Sequence, residues 1–170
     1  MSKKILPDID YLKKLLDYDC KSGVFYWAKT LSNRARKGSI AGSTCKSGYV
    51  RIAIAGEMYS AHRIAWAIHH GDTDLEIDHV DGAKGNNKLS NLRLATRSQN
   101  MANVGITRSN ASGFKGVSFH KRAKKWVASG RVDGVRKYIG LFETPQDAHV
   151  AYIASVANQY GNFFQSGGVQ

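Results

Sequence analysis

Between Glu76 and Asn100 the sequence reads EIDHVDGAKGNNKLSNLRLATRSQN. An acid and an imidazole are adjacent at Asp78 and His79, and two amides follow at Asn91 and Asn100. These residue types suit phosphodiester hydrolysis. The reaction needs a cation to neutralise charge on the scissile phosphate and leaving oxygen. It also needs a base to take a proton from the attacking water. Asp78 offers a hard oxygen ligand, and an asparagine carbonyl can offer a second. An imidazole, with an ordinary pKa near about 6.5, suits a general base at neutral pH. Neighbours on a strand point to opposite faces, so Asp78 and His79 can do different jobs. Taken singly, each type also has a plainer use. Asn86, Asn87 and Asn91 fit turns and caps, and His62, His69 and His70 fit hydrogen-bonded structural positions.

The elements around this stretch follow from periodicity. EIDHV alternates as a strand, DGAKGNN is turn chemistry, and LRLAT is a second strand. RSQNMANV reads as a helix opened near Thr96 or Ser98. Upstream, Ile9, Leu12, Leu15 and Leu16 have helical spacing, and GVFYWA (23–28) is aromatic and β-favouring. NRARKG (33–38) is a basic loop. Tyr49 to Ile54 alternates as a strand, Gly56-Glu57 fits a turn, and Met58-Tyr59 begins the return. Ile64, Ala65, Trp66 and Ile68 predict a short buried helix stopped by Gly71.

The chain of 170 residues is 42% hydrophobic, enough for one ordinary domain or two small ones with packed cores. No apolar run approaches the ~20 residues of a bilayer span, and MSKKILPDID lacks the apolar segment of a signal peptide. Cys20 and Cys45 are too few for a disulfide framework or a zinc knuckle, which fits a reducing cytoplasm. Net charge is +12 and the pI about 9.8. Such an excess repels itself unless a polyanion absorbs it, and nucleic acid fits better than a membrane surface.

GITRSNAS (105–112) reads as a linker, and the pattern then changes. GFKGVSFHKR, KKWVASGRV and VRKYIGLF predict three strands, turning near Arg122–Lys124 and Asp133-Gly134. TPQDAHVAYIASVANQYG predicts one helix with Thr144 as N-cap, Pro145 at its first position and Gly161 at its end. Nine Lys/Arg face one acid between Arg108 and Gly140. Alternation sends Val117, Phe119, Trp126, Ala128 and Ile139 to a face that packs on the helix. It sends Ser118, His120, Ser129, Arg131, Arg136 and Tyr138 to a cationic face that a DNA major groove could admit.

Asp78-His79, Asn91-Leu92-Arg93 and Asn100, in their strand–loop–strand–helix context, resemble the motif of HNH nucleases, the ββα-metal fold. GVFYWA and AHRIAWAIHHG extend the resemblance to phage-type and intron-homing members, from roughly Asp17 to Asn103. The resemblance implies that His79 is the general base, that Asp78 and Asn100 hold one divalent metal ion, and that Asn91 ties the loop and steadies His79. Many members have His at the last position. Asn100 is a departure that disfavours zinc and suits Mg²⁺ or Mn²⁺. GFKGV, Trp126, IGLF and AHVAYIASVANQYGNF are similar to AP2/ERF DNA-binding domains, from about Ser112 to Phe163. That implies DNA contacts from Lys115, His120, Arg131, Arg136 and Tyr138, to which Arg122 and Lys125 add charge on the same strands. Ser118 and Ser129 stand where that family carries arginines.

The expectation is thus an α+β chain: a ββα-metal nuclease domain over 1–104, a linker over 105–112, and an AP2-like three-stranded antiparallel sheet on one helix over 113–165. It would cut one strand of double-stranded DNA as a monomer, with no obligate protein partner and no membrane, in the cytoplasm of a bacterium or phage-infected host. A non-catalytic DNA-binding regulator on a relic scaffold is the rival, and loss of Asp78 or His79 would mark it. An RNA binder would display aromatics for stacking, whereas most aromatics here occupy apolar positions.

Overall fold

The computed structural model describes residues 4–103, 105–106, 110–132 and 135–163. The chain divides into two compact units, Met1–Thr96 and Arg97–Gln170. The boundary falls inside the expected strand–loop–strand–helix run, between its second strand and its helix.

In the first unit, helix α1 spans Ile9–Leu15, capped by the Asp8 carboxylate accepting from the Tyr11 N–H at 3.0 Å. Leu12 and Leu15 face the core, as their spacing predicts. Leu16 does not continue the helix. Its backbone is extended (φ −130°) and opens β1, Leu16–Asp19, which still buries its side chain. Strand β1 pairs antiparallel with β2, Val24–Trp27. Strands β3 (Ser43–Thr44), β4 (Val50–Ile54) and β5 (Glu57–Ser60) form an antiparallel sheet. The β4–β5 turn is Ala55-Gly56, one residue earlier than expected, with φ of 50° and 81°. Two consecutive positive φ values match the twist of the flanking strands. Helix α2, Ala61–His70, buries Ile64 and Ala65 and ends at Gly71, whose N–H reaches the Ala67 carbonyl. Strands β6 (Glu76–His79) and β7 (Leu92–Ala95) pair antiparallel, with Asp78 opposite Arg93 and His79 opposite Leu92. Leu92 joins Leu12, Phe25, Ile52 and Ile64 in one core, so the unit's largest apolar cluster anchors the site strands.

In the second unit, helix α3 (Arg97–Asn103) precedes β8 (Val117–His120), β9 (Lys125–Val132) and β10 (Val135–Phe142), an antiparallel sheet with β9 central. Helix α4, Pro145–Tyr160, lies on it. The Thr144 hydroxyl accepts from the Asp147 N–H at 3.2 Å and donates to its carboxylate at 2.7 Å, a reciprocal cap. Ala128, Ala148, Tyr152 and Val156 form the core between sheet and helix. Gly116 lets Tyr152 approach, since a Cβ there would stand 2.2 Å from the ring.

Two details differ from simple alternation. A bulge between Tyr138 and Gly140 absorbs Ile139, so Leu141 returns to the outward face. Phe119, expected against the helix, is 50% exposed on the edge strand and leans edge-on against Trp126. Within the expected linker, the Asn110 side-chain Oδ1 accepts from the Ser112 and Gly113 N–H groups, and the Ser112 hydroxyl donates to the Val117 carbonyl. The expected turn at Asp133-Gly134 lies outside the described residues, as do Arg108 and neighbouring linker positions. Among the described residues no helix is long and apolar enough to cross a membrane.

Candidate active site

The loop from Val80 to Asn91 is polar and yet tightly held. The Asn91 amide nitrogen donates to the Asp81 carboxylate at 2.9 Å and to the Asn86 carbonyl at 2.8 Å, while its oxygen accepts from the Asp81 N–H at 3.1 Å. The Asn91 carbonyl accepts from the Val80 N–H at 2.8 Å. One buried side chain thus joins the end of the loop to its start and middle. Burial pushes the Asp81 carboxyl up, but hydrogen bonds from Asn86, Asn91 and the Ala83 N–H outweigh it and hold the group below the ordinary carboxylate range.

Asp78 and His79 are both buried at the end of β6, 5% and 4% exposed. Arg93, directly across the strand pair, donates from Nε to Asp78 Oδ2 at 2.9 Å and approaches it with Nη2 at 2.8 Å. Removing one partner of such a buried pair costs about 3–5 kcal/mol. His79 Nε2 lies 3.1 Å from Asn87 Oδ1. The Asn87 amide nitrogen faces the Gly85 carbonyl at 3.3 Å, which directs its oxygen to the imidazole. In that orientation Asn87 Oδ1 can accept a proton-bearing Nε2 of the imidazole.

Asn87, read from the sequence as a turn former, is among the most buried polar residues of the chain. Its own carbonyl accepts from the Tyr18 hydroxyl at 2.7 Å. Burial, then Cys20 and Asp19, push that phenol up to about 12, so it stays a donor. The turn between β1 and β2 presses on the same point. A Cβ at Gly23 would lie 2.4 Å from the Lys88 nitrogen and 2.6 Å from the Asn87 carbonyl carbon, and its φ is +76°. Only glycine meets both conditions.

Two further rings surround His79. His62 packs edge-on at 5.1 Å, and Tyr49 lies 6.0 Å from His79 and 5.4 Å from His62. Burial, then the neighbouring His79 and Arg63, push the His62 imidazole down to about 3, so it stays neutral. Burial, followed by Asp78 and Glu76, raises the Tyr49 phenol. Lys84 sets its ammonium 5.1 Å from the centre of the Tyr49 ring. Nothing in the spacing of Asn87, Tyr49 or His62 marks them from the sequence. Only the fold brings them to His79.

Asn100, the second expected metal ligand, stands half-buried on α3 in the second unit. Among the described residues no group of three or more His, Cys, Asp or Glu side chains forms a metal cage.

Residues 59–102 match the HNH endonuclease family. This segment is similar to HNH endonuclease domains. Protein 3.8 of Escherichia phage T7 is 41% identical over 58 residues, covering 34% of this chain and 48% of that protein. The uncharacterized HNH endonuclease L560 of Acanthamoeba polyphaga mimivirus is 33% identical over 120 residues, 69% of this chain and 62% of that protein. The chain thus spans 48% and 62% of the lengths of these two curated relatives. A solved structure described as DNA binding and cleavage by the HNH homing endonuclease I-HmuI aligns with a TM-score of 0.44 and 22% identity, over 91% of this chain and 90% of that one.

Beyond the HNH segment, the register of β8–β10 places His120, Lys125, Arg131, Arg136 and Tyr138 on one face. Arg131 and Arg136 are cross-strand neighbours, as are Ser129 and Tyr138. His120 Nδ1 accepts from the Ala123 N–H at 3.0 Å, and Lys125 pairs with Glu143 at 2.6 Å. Arg122 is exposed in the turn between β8 and β9. Lys115 stands apart. Its ammonium donates to the Ala102 carbonyl at the end of α3, and burial lowers it to about 8.

Proposed function

We propose that the protein is a metal-dependent endonuclease that hydrolyses phosphodiester bonds in double-stranded DNA. It nicks one strand at a specific site, in the manner of homing enzymes. The observation that carries this reading is the buried pairing of His79 Nε2 with Asn87 Oδ1 beside Asp78, inside a segment of HNH family.

His79 Nδ1 takes the proton of the attacking water, whose oxygen forms the new bond to phosphorus. The bond from phosphorus to the 3′-oxygen breaks, that oxygen takes a proton from solvent to become a 3′-hydroxyl, and the phosphate stays on the 5′ end of the other fragment. Asn87 fixes the tautomer that keeps Nδ1 basic, and the imidazolium formed on proton transfer keeps both N–H donors. Asn91 and Asp81 hold the loop that carries Asn87. Asp78 and Asn100 would hold the divalent ion, which neutralises charge on the phosphate and leaving oxygen when bound. One active site per monomer cuts one strand per encounter. The outward face of β8–β10 positions the duplex in an AP2-like mode, through Arg131, Arg136, Tyr138, His120, Lys125 and Arg122. Lys115 contributes less, because its ammonium already serves α3. The setting is the cytoplasm of a bacterium or infected host.

The deciding assay incubates supercoiled plasmid carrying the protein's own gene neighbourhood with Mg²⁺, Mn²⁺ or EDTA. Relaxed circles are expected only with metal. A general base contributes about 10²–10⁴-fold, so His79→Ala should abolish cutting while binding persists. Equal cutting by wild type and His79→Ala would remove His79 from the mechanism. Linear product would point to two sites acting together.

A further inference from the structure

The segment 29–40, KTLSNRARKGSI, lies outside the active site and carries Lys29, Arg34, Arg36 and Lys37 with no acid. All four are exposed, and among the described residues none is held in an ion pair. The backbone beneath them is fixed. The Leu31 N–H bonds the Ala35 carbonyl at 2.8 Å, and the Lys37 N–H bonds the Thr30 hydroxyl at 3.1 Å. The Ser39 hydroxyl bonds the Arg36 carbonyl at 2.6 Å. Trp27 clasps the segment's return, donating to the Ser39 carbonyl and accepting from the Gly38 N–H. Four cations on an ordered backbone lose less freedom on binding than four on a tail. Leu31 and Ile40 are 48% and 66% exposed within the same segment. A merely solvated loop gains nothing from them, whereas the apolar faces of deoxyribose can cover them.

Its place in the fold ties this segment to the chemistry. Strand β2 begins at the Gly23 turn, which presses on Asn87 and Lys88, and ends at Trp27, which clasps the segment. Four extended residues span about 13 Å, or roughly four nucleotides at about 3.4 Å each along one strand.

We propose that residues 29–40 form a phosphate-binding arm that grips the duplex within one helical turn of the cut. This rests on the endonuclease reading and adds to it a contact in the nuclease unit, separate from the C-terminal sheet. The arm reads charge and backbone spacing, so it adds affinity irrespective of base sequence.

The test compares the full-length chain with its Lys29→Ala/Arg34→Ala/Arg36→Ala/Lys37→Ala variant, on a 40-base-pair duplex in EDTA across a salt series. Four phosphate contacts predict that the slope of log affinity against log salt shrinks by about 3–4. Single-turnover cutting at saturating protein should stay within about threefold of wild type. The Arg34→Lys/Arg36→Lys variant, which keeps the charge, should keep the slope. An unchanged slope in the alanine variant overturns the arm. So does a slope that changes on single-stranded RNA and not on the duplex. Hydroxyl-radical footprints should lose protection within about ten base pairs of the nick, and loss only beyond that distance overturns the placement. The binding slope needs no cleavage. If wild type never cuts, a reduced slope still establishes the arm while the endonuclease reading falls.

Discussion

The loop from Val80 to Asn91 buries Asn87 and Asn91 and bonds them to His79, Asp81 and the loop's own backbone, while the outward face of β8–β10 leaves Arg131 and Arg136 exposed. Asn87 is 2% exposed and Asn91 9%, whereas Arg131, Arg136 and Tyr138 are exposed. On the endonuclease reading, the difference follows from what each region would hold. A general base works only in one tautomer and one orientation, so its supports are buried where a missing partner costs about 1–3 kcal/mol. Phosphates arrive from solvent, and a cation that meets them must stay solvated until they do. The loop should therefore fail through folding and rate together, and the sheet face through binding alone.

The sharpest way to break the loop is Gly23→Ala. The added methyl meets the backbone of Asn87 and Lys88 at a positive φ, and strain plus displacement should cost about 3 kcal/mol. Urea denaturation should show that loss, and single-turnover cutting should fall with it because Asn87 moves. A fully stable, fully active variant would mean that the hairpin does not buttress the site.

Asn87→Ala separates support from fold. It removes the acceptor of His79 Nε2, and loss of such an orienting partner costs about 10–100-fold in activity. Asn87→Asp keeps an oxygen there and should recover part of the rate. If both variants cut equally, packing and not the hydrogen bond sets the imidazole.

The rings beside His79 give the loop region a pH dependence. His62 is held at about 3 by burial, with His79 and Arg63 adding to it, against about 6.5 in an unfolded chain. As pH falls, the unfolded state takes the proton first. The stability tied to neutral His62 is complete above about pH 6.5 and is lost as pH falls from there towards 3. At pH 5 that loss is on the order of 2 kcal/mol. His62→Phe should remove it, so urea midpoints of variant and wild type should run together at pH 7.5 and diverge at pH 5. Parallel curves down to pH 5 would assign the acid sensitivity elsewhere.

How much of this was legible in the sequence depends on the range of the forces involved. The helices and strands follow from local spacing, as in α2 ending at Gly71 and α4 opening at Thr144. Asp78, His79 and Asn91 stand out because their order is specified within fourteen residues. Asn87 was hidden by its own turn chemistry, since GNN reads as a loop whether or not an imidazole lies above it. Tyr18, Gly23, Tyr49 and His62 reach the site only when separate elements fold together. Leu16 was misplaced because helical spacing and a buried strand start both put a leucine in the core. The bulge at Ile139 was invisible to alternation, which assumes an unbroken register.

The smallest effect on folding, and the cleanest contrast with the loop, comes from Arg131→Ala with Arg136→Ala. These side chains face each other across β9 and β10 on the outward surface, so their removal leaves no buried group without a partner. Surface changes of this kind stay within about 0.5 kcal/mol in stability. Two fewer cations on the phosphates should nevertheless flatten the salt slope by about 1.8, and affinity should fall across unrelated duplexes alike. If affinity falls for one duplex sequence and not for others, the arginines read base edges, and the sheet contributes specificity as well as charge. If neither slope nor affinity moves, duplex binding rests on other surfaces, and the exposed face of β8–β10 is polar because it is solvated.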